Sequence, residues 1–169
     1  MGLTYSVLDD RGDAISAARI SHDVGIHTFQ LYDDIAVKTY SHQKSGLHYW
    51  YVVHVASRDL SSLRSLIIPD KLDGSEIEAI VLDTASDKLG GTGKSFNWNW
   101  IAETRAAGEL EGLPPIILAG GLNPENVADA IRIARPYAVD VSSGVEVAGK
   151  PGVKDAIKMR DFIQAAHGA

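Results

Sequence analysis

The chain has 169 residues, 45% of them apolar and 22% charged, with a formal charge of −6; that is enough for one full hydrophobic core and short for two. An acidic balance with no Lys/Arg cluster excludes a nucleic-acid partner, because backbone phosphates demand a basic face. The lack of cysteine excludes disulfides, thiolate metal sites and a cysteine nucleophile, and fits a cytoplasmic protein. The N-terminus has no basic segment followed by an apolar one, and no run approaches the roughly 18 apolar residues of a membrane span. Neither export nor a membrane partner is expected. Met1-Gly2-Leu3-Thr4-Tyr5-Ser6 has the spacing of a myristoylation signal, but Leu3 to Leu8 serves better as a strand.

That strand, rich in β formers, stops at the turn cluster Asp9-Asp10-Arg11-Gly12-Asp13. Ala14, Ala17, Ala18 and Ser21 then recur at helical spacing, and Gly25 is placed to end the helix. Ile26 to Leu31 reads as a second strand. Asp33-Asp34 can cap a weakly amphipathic helix from Ile35 to about Lys44. Leu47 to Val55 is almost wholly apolar, aromatic or histidine, and predicts a central strand. Leu60, Leu63, Leu66 and Ile67 mark the next helix, and Pro69, Asp73 and Gly74 its exit.

Ile80-Val81-Leu82-Asp83-Thr84 reads as a buried strand that delivers Asp83 to its C-terminal end, ahead of the glycine run Gly90-Gly91-Thr92-Gly93-Lys94-Ser95. A helix follows over Asn97 to Ala107, with Trp98 or Trp100 inward and Gly108 and Gly112 breaking it. Two more strands end in small or polar residues: Ile116 to Ala119 into Gly120-Gly121, and Tyr137 to Val141 into Ser142-Ser143-Gly144. Between them, Asn123-Pro124 is an N-cap with proline at the first helical position, and Val127, Ala130, Ile131 and Ala134 form the buried stripe. Lys154-Asp155 opens a last helix with Met159, Phe162, Ile163 and Ala166 at core spacing. Six strands alternating with helices predict a parallel α/β sheet of the barrel type in one domain over 1–169, with a polar mouth suited to a phosphorylated substrate.

Taken together, Leu82-Asp83-Thr84, the run from Gly90 to Trp98, Ala119-Gly120-Gly121-Leu122-Asn123-Pro124-Glu125-Asn126-Val127, Asp140 to Glu146, and Pro151-Gly152-Val153-Lys154-Asp155 resemble the second half of phosphoribosylanthranilate isomerases, the tryptophan-pathway (β/α)₈ enzymes. Gln30-Leu31 sits where that family has its fourth strand. The resemblance implies an incomplete TIM barrel of about six units, corresponding to strands 3–8. In the family the first strand carries a catalytic cysteine and the second a substrate-holding arginine; this chain has no counterpart to either. Tyr32-Asp33 also stands where the family has histidine and glycine.

The implied reaction is an Amadori rearrangement, which needs an acid and a base on opposite sides of the sugar. Asp83 is the expected acid, kept partly protonated by desolvation; an aspartate here also serves as a plain turn cap. Phosphate is expected on the backbone N–H groups of Gly120, Gly121, Ser142, Ser143 and Gly144, where missing side chains allow close approach. Asp140 is placed to meet sugar hydroxyls, and Gln30, Gly91 and Gly93 complete the implied substrate-binding set. Gly90 to Ser95 fits neither a Walker nor a dinucleotide pattern and reads as a lid, whose Lys94 either reaches the phosphate or stays in solvent. No metal-ligand spacing joins the histidines, and no cofactor is expected. His54 reads as a rim histidine or as a substitute base. The alternative to an isomerase is a non-catalytic phosphate-binding or assembly module, either one completed by a second chain or self-associated.

Overall fold

The computed structural model describes residues 23, 25–31, 48–58, 60, 63, 77–84 and 95–169. The strand expected from Leu3, the helix expected from Ile35, most of the first helix and of the helix around Leu63, and the glycine loop through Lys94 lie outside those residues. Asp23 is helical and Gly25 takes φ of +70°, the left-handed turn expected where the first helix stops.

Five described strands, β1 (Thr28–Leu31), β2 (His48–Val55), β3 (Ile77–Thr84), β4 (Ile116–Leu118) and β5 (Ala138–Val139), pair in parallel and in chain order. Sequential parallel pairing requires a crossover after every strand. Three described crossover or terminal helices are α1 (Asn99–Ala106), α2 (Val127–Ala134) and α3 (Ala156–His167).

Residues alternate between the two faces of each strand. Ile80, Leu82, Ile116 and Leu118 face the helices, where they meet Ile101, Leu122, Val127, Ala130, Ala134, Val145 and Phe162. Val52, Ala79, Val81, Ile117 and Ala119 form a second apolar cluster on the opposite face, with Trp50 and Ala138 beside it. Burial on both faces explains why β3 reads as an unbroken apolar run from Ala79 to Leu82. Each fully buried leucine here contributes about 1.5–3 kcal/mol of transfer free energy.

Local chemistry sets the helix ends. Asn97 Oδ1 accepts the Asn99 N–H at 3.1 Å to start α1, and Gly108, at φ +73°, turns the chain out of it. Trp98 and Trp100 are half-buried against the core, and Trp100 also stacks on Phe96 with ring centroids 6.4 Å apart. The Arg105 guanidinium donates to the carbonyls of Ala134 and Arg135, each at 3.0 Å, and so closes the C-terminus of the neighbouring α2. Asp155 Oδ1 caps α3 by accepting from the N–H groups of Ile157 and Lys158.

Several expected boundaries move. β1 starts at Thr28 rather than Ile26, and β3 starts at Ile77 rather than Ile80 because Ile77 and Ala79 already follow the inward alternation. Asn123 does cap, taking the N–H groups of Glu125 and Asn126, both at 3.0 Å, but regular helix begins only at Val127. β5 keeps two residues of the expected Tyr137–Val141 span, and Tyr137 is 80% exposed. The core stripe expected on α3 also fails in part. Phe162 is buried, while Met159 and Ile163 are 42% and 52% exposed, since α3 packs chiefly on α2 and the loop after β5 and buries only the side turned to them.

Candidate active site at the strand ends

Register determines which polar side chains meet. His54 pairs with Asp83, and Leu82 with Leu118, so the rung beyond places Ala119 beside Asp83. Leu118 pairs with Val139, which sets Asp140 beside Ala119 on the same rung. The N–H of Ala119 donates to the Leu82 carbonyl and that of Asp140 to the Leu118 carbonyl, each at 2.8 Å. Alternation then turns His54, Asp83, Ala119 and Asp140 to the face of Val52, Val81, Ile117 and Ala138. Three of the expected residues thus share one row. Gln30 is aligned with Trp50 and Ala79, four residues before Asp83 along β3, and does not join it.

Glycines lock the strand ends together. A Cβ on Gly120 would lie 2.4 Å from the Thr84 N and Oγ1 and 2.6 Å from Asp83 Oδ1, so the carboxylate of Asp83 rests against bare backbone. Gly120 and Gly121 take φ of +84° and +66°, a conformation that side chains disfavour. A Cβ on Gly144 would lie 1.9 Å from the Leu122 carbonyl oxygen, which brings the loop after β5 onto the loop after β4.

Among the described residues, the backbone N–H groups of Gly120, Gly121 and Leu122 after β4, and of Ser142, Ser143 and Gly144 after β5, have no acceptor, whereas those of Ala119, Asn123, Val145 and Glu146 all do. The Asn126 side chain holds the Gly121 carbonyl at 3.0 Å and accepts the Asn123 N–H at 2.9 Å, fixing the turn after β4.

Asp83 Oδ1 accepts the N–H of its successor Thr84 at 2.7 Å, so the turn-cap role and the site position coexist in one residue. Burial pushes the Asp140 carboxyl above its ordinary value; the charge of Asp83 adds to the rise, while Lys154 and the Val141 N–H oppose it. Asp140 keeps exposed surface as a residue, yet enough protein surrounds the carboxylate for desolvation to lead. Thr84 Oγ1 also accepts the Phe96 N–H at 3.2 Å, returning the chain to the site after the glycine segment. Gly91, Gly93 and Lys94 lie outside the described residues. Asn126, Lys154 and Glu146 went unassigned in the sequence. A glutamate and a lysine facing each other across Pro151-Gly152 were the available signal for the last two.

Parallel strands in chain order with helices on one side, and polar residues gathered at their C-terminal ends, define a (β/α)-barrel protein. The chain belongs to the N-(5'-phosphoribosyl)anthranilate (PRA) isomerase family, whose sequence profile matches residues 14–165. It is 51% identical over 105 residues to the N-(5'-phosphoribosyl)anthranilate isomerase of Trichlorobacter lovleyi, which covers 62% of this chain and 48% of the relative. The crystal structure of the Thermotoga maritima phosphoribosyl anthranilate isomerase superposes with a TM-score of 0.66 at 32% identity, covering 89% of this chain and 66% of that one. A solved isomerase in complex with reduced 1-(o-carboxyphenylamino)-1-deoxyribulose 5-phosphate has a TM-score of 0.62 at 29% identity, with 89% and 64% covered. This chain therefore spans about half the length of the curated relative it matches and accounts for part of a barrel.

Proposed function

We propose that the chain supplies the phosphate-binding and proton-donating part of a phosphoribosylanthranilate isomerase, as one partial-barrel domain over 1–169 acting in cytoplasmic tryptophan biosynthesis. The observation that carries this is the row of Asp83 and Asp140 at the strand ends, followed by loops whose backbone N–H groups lack acceptors, among them those of Gly120, Gly121, Ser142, Ser143 and Gly144. Those N–H groups take the 5-phosphate of N-(5'-phosphoribosyl)anthranilate, and Asp140 takes the sugar hydroxyls. Asp83 protonates the furanose ring oxygen; the C1–O bond breaks while the anthranilate nitrogen lone pair forms an iminium. A base then removes the C2 proton, and the resulting enolamine tautomerises to the aminoketose. The change is redox-neutral within the substrate, so no cofactor and no metal enter the reading.

The base is the open position, because the sequence contains no cysteine. His54, paired in register with Asp83, is the substitute within this chain. The second reading, a non-catalytic phosphate-binding module, rests on the same lack of cysteine. Calorimetry with inorganic phosphate tests the site: binding is expected, with loss on bulky substitution at Gly121 or Ser143, and binding that survives both substitutions refutes it. Complementation of a strain lacking the isomerase separates the readings. No growth is expected from this chain alone; growth is expected once the additional β/α units of its relatives are co-expressed, and Asp83→Asn should then lower turnover by about 10²–10⁴-fold. Growth from the chain alone that is lost in His54→Ala assigns the base to His54.

A further inference from the structure

Lys154 stands just before the aspartate that caps α3, where its charge also acts on Asp140, and no step of the reaction above uses it. Its ammonium nevertheless donates three times: to the Ser142 carbonyl at 2.9 Å, to Ser142 Oγ at 3.2 Å and to Glu146 Oε1 at 3.0 Å. An ammonium has three protons, so this set leaves none for a ligand. Glu146 is fixed in turn. Residues 146 and 154 form an antiparallel bridge, and the Lys158 ammonium donates to the Glu146 carbonyl at 2.9 Å. The Lys154 hydrogen bond leads in holding the Glu146 carboxyl below its ordinary value, with the Gly152 N–H contributing and desolvation opposing.

The consequence lies in one peptide group. In a trans peptide the C=O and the following N–H point in opposite directions, and the chain has no cis bond among the described residues. Drawing the Ser142 carbonyl toward Lys154 therefore turns the Ser143 N–H to the opposite side, where it has no acceptor. The Val145 N–H also reaches the Ser142 carbonyl at 3.4 Å, a long bond that the shorter contact from Lys154 supports.

We infer that Lys154 is a positioning residue that orients the Ser142–Ser143 peptide, and with it the loop through Gly144, to receive a phosphate group, and that Glu146 holds Lys154 in place for this task. The inference rests on the phosphate reading above. It concerns how the loop is set rather than what touches the ligand.

The test uses the full 169-residue chain with Lys154→Met and Lys154→Arg, read by amide hydrogen exchange without ligand and by calorimetry with inorganic phosphate. Lys154→Met should speed exchange at Val145 and Glu146 and weaken phosphate binding, each by about tenfold, the scale of losing one hydrogen bond to a charged group. Exchange in α2 should not change. Lys154→Arg, which keeps the charge and donors, should recover most of both effects. Unchanged exchange and unchanged affinity in Lys154→Met overturn the inference. Lost affinity with unchanged exchange overturns it too, because Lys154 would then be a ligand contact. If the parent chain binds no phosphate, the site reading fails, and faster exchange in Lys154→Met still separates the loop clamp from that failure.

Discussion

Replacing Gly120 by alanine perturbs the junction between β3, β4 and the Asp83 carboxylate with a single methyl group. Two costs add. At φ +84° an L-residue is disfavoured by about 1–2 kcal/mol. The new Cβ would also fall 2.4 Å from the backbone N of Thr84 and 2.6 Å from Asp83 Oδ1, and overpacking of this kind costs about 1–3 kcal/mol. A backbone atom cannot swing aside as a side chain does, so the ends of β3 and β4 must part. The expected loss is about 2–5 kcal/mol. Gly149→Ala supplies the control: φ is +73° there and no atom lies within 4 Å of the added Cβ, leaving only the conformational cost of about 1–2 kcal/mol. Urea unfolding of both variants at equal m-value measures the difference. If Gly120→Ala is no less stable than Gly149→Ala, the close approach of Gly120 to Asp83 and Thr84 is wrong, and with it the placement of the acid.

Asp140→Asn should stabilise the chain at neutral pH. The folded state raises this carboxyl above 3.8, so its ionisation costs the native state more than the unfolded one; the gain should shrink as pH falls through the folded value and vanish below the unfolded one. A thermal-melt series from pH 7 downward reads this directly, and a gain that grows on acidification refutes it. Arg105→Met removes both hydrogen bonds to the α2 carbonyls and should cost about 1–2 kcal/mol, the low end for charged donors with solvent access; no change in unfolding midpoint counts against that link. Self-association is expected in light scattering, because β5 pairs only with β4 among the described residues and Tyr137 and Ile163 are exposed nearby. A clean monomer with sharp unfolding would mean that this edge is covered by the chain itself.

Periodicity by itself determined the alternation of strands and helices. Apolar runs through Tyr51, Leu82 and Leu118, the stripe of Val127, Ala130 and Ala134, and the cap at Asp155 depend on neighbours only a few residues away and occur where the pattern places them, while Asn123 caps the turn that leads into α2 and not its first helical residue. The glycine and serine motifs after the strands identified the family and pointed to Asp83, Gly120 and Ser143. Tertiary structure decided what lies beside what. The setting of His54, Asp83 and Asp140 in one row follows from strand register, and local sequence does not encode which rung pairs with which. It also decided that Gln30 stands off that row and that Met159 and Ile163 face outward, since a helical stripe becomes core only where a partner covers it. Lys154 makes the same point most clearly. On paper it is an exposed lysine before a helix; only the fold brings Ser142 and Glu146 within reach of its three protons, because a hydrogen bond is decided by distance in space and not along the chain.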